Sequence, residues 1–189
     1  FRRNSFGIQD YDPVVQKAIN RIQSFDDVRA ATEISREVGY QSISHDLVFG
    51  LPHQTESAMR RTIDLTSELR PDRIAFYSYA HVPWIKGTGQ RGYDEKDLPS
   101  NEGKRKLYEM GKEQFLTLGY EEIGMDHFAL PDDTLARAYH SGTLHRNFMG
   151  YTADKTRLMV GLGMSSISDS WGGFAQNVKT VSAYEKQAL

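Results

Sequence analysis

Ser44-His45-Asp46-Leu47-Val48-Phe49-Gly50-Leu51-Pro52-His53-Gln54-Thr55 is the stretch whose reading decides the fold. A run of apolar, β-branched and aromatic residues leads to Gly50 and Pro52, and a helical pattern begins at Thr55. That order predicts a buried strand, a tight turn and a capped helix. In parallel α/β barrels, binding and catalytic groups gather at the carboxyl ends of the strands and in the loops behind them. Asp46 is the one acid inside this apolar strand. A buried carboxylate is costly unless it is paired or hydrogen-bonded, so its position calls for a reason. Two readings stand side by side: a carboxylate that faces a ligand, or a structural one that holds the Gly50 turn.

Working outward, residues 3–9 read as a strand, and Asp12-Pro13 opens a helix, aspartate suiting the N-cap and proline the first helical position. Val14, Val15, Ala18, Ile19 and Ile22 form its expected apolar stripe. A second helix is expected from Asp26 or Asp27, with Val28, Ala31, Ile34 and Val38 inward and Gly39 as its stop. After Thr55, a helix is expected to bury Ala58, Met59, Ile63, Leu65 and Leu69 before Pro71 ends it. Residues 73–79 read as the next strand, covered on both faces. The connection over 80–100 is long, irregular and rich in glycine and proline, as functional lids or disordered segments are.

Asn101 then starts a helix with Leu107, Met110, Phe115 and Leu118 inward and Gly119 at its end. A short strand over 120–123 is followed by an expected polar loop over 124–133. Asp132 and Asp133 cap a helix running to about Ser141. Residues 145–152 read as another irregular loop. Residues 158–168 read as a strand or strand-plus-turn, where Gly161 and Gly163 let backbone approach a ligand. Alternation of strand and helix predicts parallel strands joined by crossovers.

The chain of 189 residues suffices for one sizeable core, in one domain or a little more. The net charge is -2 with acids and bases mixed, so no block of like charge marks a nucleic-acid or membrane surface. No apolar run is long enough to span a bilayer and no signal peptide is visible, which makes a soluble cytoplasmic protein the default expectation. The absence of cysteine excludes disulfides, a thiolate nucleophile and cysteine-ligated metal. The sequence begins at Phe1 in what reads as the middle of a strand, so a piece of a longer chain is expected.

Local chemistry alone stays open. Gly161-Leu162-Gly163 lacks the third glycine and the helix of a dinucleotide loop. His140 and His145 are weakly spaced for a metal. Asp126-His127 reads equally as an acid–base pair or as a loop histidine bonded to backbone.

Six stretches together carry a resemblance. They are Gly7-Ile8-Gln9-Asp10-Tyr11, Asn20-Arg21, residues 46–55, Tyr79-Ala80-His81-Val82-Pro83, Gly124-Met125-Asp126-His127-Phe128-Ala129 and residues 145–152, His145-Arg146-Asn147-Phe148-Met149-Gly150-Tyr151-Thr152. The chain resembles the oxygen-independent coproporphyrinogen III oxidases, radical S-adenosylmethionine (SAM) enzymes of haem biosynthesis. The resemblance runs from Phe1 to about Tyr184.

It implies an α/β fold: the C-terminal portion of a partial (β/α), TIM-like radical SAM barrel with parallel strands, then the start of an α+β accessory region. The corresponding division is 1–100 for the second half of the barrel and 101–189 for its end and the accessory region. It implies a [4Fe–4S] cluster held by three cysteines of a C-x-x-x-C-x-x-C loop outside this sequence. It implies two SAM molecules and a deoxyadenosyl radical that takes hydrogen from propionate side chains of coproporphyrinogen III. Two carboxylates leave as carbon dioxide, two vinyl groups remain, and protoporphyrinogen IX results. By position, Gln9, Arg21, Asp46 and Ala80 would meet one SAM, and Ile167 the other. An electron donor is the implied partner, with no nucleic acid, no membrane and a monomeric complete protein. Lacking the cluster cysteines, the chain alone is expected to be inactive, with an exposed strand edge and an inner apolar face. A haem-binding chaperone relative is the alternative, and an unrelated barrel enzyme for phosphorylated metabolites a third.

Overall fold

The computed structural model describes residues 2–82 and 93–188. Part of the long connection after Ala80, residues 83–92, lies outside them. The chain divides into two compact units, Phe1–Thr143 and Leu144–Leu189.

In the first unit, β1 (Arg3–Gln9), β2 (Ser42–Phe49) and β3 (Arg73–Ser78) run parallel. Helices α1 (Pro13–Ala18) and α2 (Phe25–Glu37) connect the first two strands, and α3 (Glu56–Leu69) the next two. Each helix begins at a side-chain cap: Asp12, Ser24 and Thr55 accept the first free amides. A 3₁₀ turn (Glu95–Asp97) precedes α4 (Asn101–Thr117), β4 (Glu121–Gly124), β5 (His127–Ala129) and α5 (Thr134–His140).

Strand order is β1-β2-β3-β5-β4. The short strand expected over 120–123 is β4, and the polar loop expected over 124–133 contains a tight turn and the return strand β5. Met125, with a φ of 51°, turns β4 back into β5, and β5 pairs antiparallel with β3. The sheet is therefore mixed rather than wholly parallel, because a turn this tight forces its two strands to run antiparallel.

The strand register separates two faces. One row across four strands reads Phe6, His45, Ile74, Phe128, and the next reads Gly7, Asp46, Ala75, His127. The first row belongs to the core, where Ile8, Leu47, Phe49, Ile74, Phe76 and Phe128 meet Val28 of α2, Met59 and Ile63 of α3, and Leu107, Met110 and Phe115 of α4. Burying each large side chain contributes roughly 1.5–3 kcal/mol. His45 is fully buried, shares a 3.1 Å hydrogen bond with Thr32, and is held neutral because burial lowers its pKa to about 4.

The amphipathic reading of α1 and α2 is only half realised. Val15 and Ala18 are buried, but Val14, Ile22, Ile34 and Val38 are exposed, and the inward stripe of α2 is Val28, Thr32 and Ser35.

The amino ends of the strands are locked by polar bonds. Asp133 accepts from Arg73 Nε (2.8 Å), Ser42 Oγ (2.7 Å) and Leu135 N (2.6 Å), and Arg73 also reaches Thr134. Every lone pair in use offsets the cost of burying this ion pair.

The second unit comprises the hairpin β6 (His145–Asn147) and β7 (Gly150–Thr152), the hairpin β8 (Ile167–Ser170) and β9 (Gly173–Gln176), and α6 (Val181–Ala188). The loop expected at 145–152 is thus a paired hairpin. In 158–168 the pairing is confined to a bridge from Met159 to Asp169 and the start of β8. Gly161 has a reason unrelated to a ligand: a Cβ there would lie 2.8–2.9 Å from the Ile167 backbone, so the chain's own close approach requires it.

Gly111 lets α4 press on β3: a Cβ would sit 2.6 and 2.7 Å from ring carbons of Phe76. Gly111→Ala gains about 1 kcal/mol of helix propensity and loses roughly 1–3 kcal/mol to overpacking against a rigid ring. Urea unfolding should therefore show a lower midpoint for the variant.

Candidate functional site

The row Gly7, Asp46, Ala75, His127 faces away from the three-helix layer, and it is built from small or polar residues rather than the apolar surface the sequence suggests. Asp46 accepts from Ser5 Oγ at 3.0 Å and from Ser44 Oγ at 3.5 Å. Burial raises its pKa, the two hydroxyls only partly offsetting the lost hydration. Tyr77, two residues beyond Ala75, has its phenol pKa raised by burial and by the negative charges of Asp46 and Asp126. Its ring meets His127 edge-on, with centroids 6.1 Å apart.

The Gly50 turn is not held by Asp46. Gln54 Oε1 accepts from Gly50 N at 2.7 Å and from Leu51 N at 3.3 Å. Gln54 Nε2 donates to Asp10 Oδ2 at 2.6 Å and to the Val48 carbonyl at 2.9 Å. Asp10, fully buried, also accepts from Thr62 Oγ1 (2.7 Å) and from Asp12 N (2.7 Å). Asp10 and Gln54 therefore do the structural work one reading gave to Asp46, whose donors among the described residues are the Ser5 and Ser44 hydroxyls.

Asp46, Gln9 and Arg21 come together around Gly7. Gly7 is the register partner of Asp46 on the neighbouring strand. Arg21 Nη2 donates to the Gly7 carbonyl at 2.6 Å. A Cβ on Gly7 would lie 2.8 Å from Gln9 Nε2 and 3.2 Å from Arg21 Nη2, so amide and guanidinium occupy the space a side chain would take. Gln9 reaches this position through a break in register after Gly7 and a φ of 69°. Ala80 is exposed just beyond β3, whose end is tied down by Tyr79 N donating to the Phe49 carbonyl at 2.8 Å. Ile167 lies in β8 of the second unit and is described there alone.

Sequence reasoning missed Lys104 of α4. Its stem lies against Gly50, where a Cβ would meet it at 2.7 Å, and its ammonium donates to the Tyr79 carbonyl. It thus ties two strand ends together beside the His81, Tyr79 and Tyr93 rings. A lysine in a helix otherwise rich in exposed charge leaves no pattern from which this is legible. Among the described residues no cluster of histidines and carboxylates forms a metal site, and His140 pairs with Glu121 at 2.5 Å.

These elements combine a carboxylate midway along β2, a neutral amide at the carboxyl end of β1 and a cation from the segment after α1. That set suits a zwitterionic ligand carrying both an ammonium and a carboxylate. An oxidase from Paracoccus denitrificans, named oxygen-independent coproporphyrinogen III oxidase, is 45% identical over 96% of this chain. One of the same name from Pseudomonas aeruginosa is 44% identical over 98%. The chain is homologous to a segment of these oxidases. It spans about 40% of the length of the curated relatives it matches. A solved radical SAM enzyme, the coproporphyrinogen III oxidase HemN from Escherichia coli, superposes over the whole chain with a TM-score of 0.87 at 40% identity, the match covering 43% of that enzyme. No family model matches. Among the described residues, no helix is long and apolar enough to cross a membrane.

The raised pKa of Asp46 sets a sign. A carboxyl that holds its proton more tightly when folded favours the fold at low pH, and that contribution is lost as pH rises from the unfolded value towards the raised one. At neutral pH the charged Asp46 therefore costs stability. Asp46→Asn, whose carbonyl still accepts from both serines, should raise the melting temperature at pH 7, with the gain shrinking towards pH 4. Thermal scans across that range check it.

Proposed function

We propose that this chain forms the SAM-binding face of a partial (β/α) barrel in an oxygen-independent coproporphyrinogen III oxidase. In the complete protein, two propionate side chains of coproporphyrinogen III become vinyl groups, with loss of carbon dioxide, to give protoporphyrinogen IX. The observation that carries the reading is the convergence of Asp46, Gln9 and Arg21 around Gly7, in a chain 41–45% identical to oxidases of that name.

The residue types fit SAM. Asp46 accepts from the methionyl ammonium or a ribose hydroxyl, and Arg21, with donors left over from its bond to Gly7, pairs the carboxylate. Gln9 both donates and accepts, and Ala80 offers exposed backbone. Ile167 supplies backbone and apolar contact to a second SAM. Bound SAM supplies the hydrogen-abstracting chemistry of the radical SAM class.

The chain does not fit an iron–sulfur cluster, because it has no cysteine to ligate one. The cluster cysteines lie outside this sequence, and the chain alone is inactive. The electron donor also acts from outside it. The complete protein works in the cytoplasm as a monomer, with no nucleic-acid or membrane partner.

In the complete, cluster-bearing protein, Asp46→Ala and Arg21→Ala should each lower turnover roughly 10–100-fold, from ~1.5–3 kcal/mol per hydrogen bond to a charged group, with the cluster's visible absorbance unchanged. Wild-type turnover in both variants removes these residues from the SAM site.

A further inference from the structure

Lys104 carries its charge in a place that penalises charge twice. It closes the first turn of α4, four residues after the capping Ser100, and the amides at a helix N-terminus disfavour a cation. Partial burial adds to the cost and lowers the pKa of its ammonium. Among the described residues that ammonium has one partner, the Tyr79 carbonyl.

The surrounding structure aims it there. His53 N donates to the Asp97 carbonyl at 2.8 Å, which docks the 3₁₀ turn before α4 on the turn after β2. Ser100 Oγ accepts from Gly103 N at 3.1 Å and fixes where α4 begins. From that root the Lys104 stem crosses Gly50, where a Cβ would lie 2.7 Å from Cε and 3.0 Å from Cγ and Cδ. A side chain at position 50 would close the path, and Gly50 also needs its φ of 84°.

Tyr79 is fixed from other sides as well. Its N–H donates to the Phe49 carbonyl at 2.8 Å, its ring meets those of His81 and Tyr93, and its hydroxyl bonds that of Tyr93. The Tyr79 carbonyl and the Ala80 N–H belong to one planar peptide unit, and no peptide bond among the described residues is cis. In a trans unit the two groups point in opposite directions. A bond from Lys104 to the carbonyl therefore turns the Ala80 N–H to the far side. Ala80 is exposed, and its N–H has no hydrogen-bond partner among the described residues.

We propose that Lys104 is a positioning residue of the SAM site: its ammonium orients the Tyr79–Ala80 peptide, so that the Ala80 N–H stands as a fixed donor to SAM. The inference rests on the reading of Gln9, Arg21, Asp46 and Ala80 as SAM contacts. Lys104 touches the peptide and not the ligand. A donor aimed in advance loses less freedom on binding. A charged donor holds the carbonyl more firmly than a neutral one would.

Equilibrium dialysis of radiolabelled SAM against the complete, cluster-bearing protein, without coproporphyrinogen III, tests this. Lys104→Met keeps the stem over Gly50 and loses the ammonium, and Ala80→Pro removes the N–H. Asp46→Ala marks the binding step that belongs to this site. Lys104→Met should weaken that step roughly three- to tenfold, the range of one hydrogen bond. Ala80→Pro should weaken it at least as much, and the two together no more than Ala80→Pro alone. In turnover assays Lys104→Met should raise KM for SAM more than it lowers kcat. Circular dichroism matching that of the unsubstituted protein confirms an intact fold, and Lys104→Met remains decisive if Ala80→Pro fails to fold. Unchanged SAM affinity in Lys104→Met, with Asp46→Ala weakened, overturns the role of Lys104 and leaves the SAM reading standing. Losses that add in the double variant place the action of Lys104 elsewhere than Ala80 and overturn it too. Unchanged affinity in Asp46→Ala overturns the SAM reading, and the inference with it.

Discussion

Asp10 holds the candidate site in place. Its buried carboxylate takes hydrogen bonds from Gln54, Thr62 and Asp12, which belong to three different segments. Gln54 passes the constraint to the Gly50 turn through two backbone amides. One carboxylate thus fixes the exit of β1, the start of α1, the middle of α3 and the turn after β2. Burial raises its pKa against the pull of its three donors. Removing one member would leave a buried polar group without a partner, at about 1–3 kcal/mol. The Gln9 backbone, with its φ of 69°, lies next to this anchor, so its unusual conformation is imposed by neighbours that have no freedom to move.

With the strand exits fixed, the sheet divides its labour by register. Phe6, His45, Ile74 and Phe128 face the helices and supply cohesion, while Gly7, Asp46, Ala75 and His127 face the other way, the face proposed to meet the ligand. A one-residue slip of β2 would exchange His45 and Asp46 between faces, so the apolar contacts that select the register also place the carboxylate. The amino ends carry the Arg73–Asp133 pair, whose carboxylate also accepts from Ser42 Oγ and Leu135 N. Burial raises the pKa of Asp46, so its charged form costs stability where it stands.

Strands, caps and helix stops were legible because they rest on local chemistry. The 44–55 stretch reads as strand, turn and capped helix, and it folds that way. Asp12-Pro13 and Thr55 cap the helices expected of them. What escaped notice depends on partners distant in sequence. The first strand of the hairpin at Met125 is expected, but its return strand reads as a polar loop because it is three residues long, too short for alternation to register. Ile34 and Val38 fit a helical stripe yet lie exposed, since period alone does not say which face meets the sheet. Asp10 and Gln54 are 44 residues apart, and no spacing rule joins them. Asp46 stands out as the one acid in its strand, whereas Gln9, Arg21, Ala80 and Ile167 rest on the resemblance. Their chemistry became intelligible only when the register set Gly7 beside Asp46 and left room for Gln9 and Arg21.

The central claim is that Gln9, Arg21 and Asp46 form one ligand face around Gly7. Amide chemical shifts of the isotope-labelled chain, recorded while SAM is added to millimolar concentration, test it most directly. The account predicts saturable shifts centred on Gly7, Gln9 and Asp46, absent in Asp46→Ala and reduced in Arg21→Ala. Shifts confined to other parts of the chain, or equal responses in both variants, would contradict it.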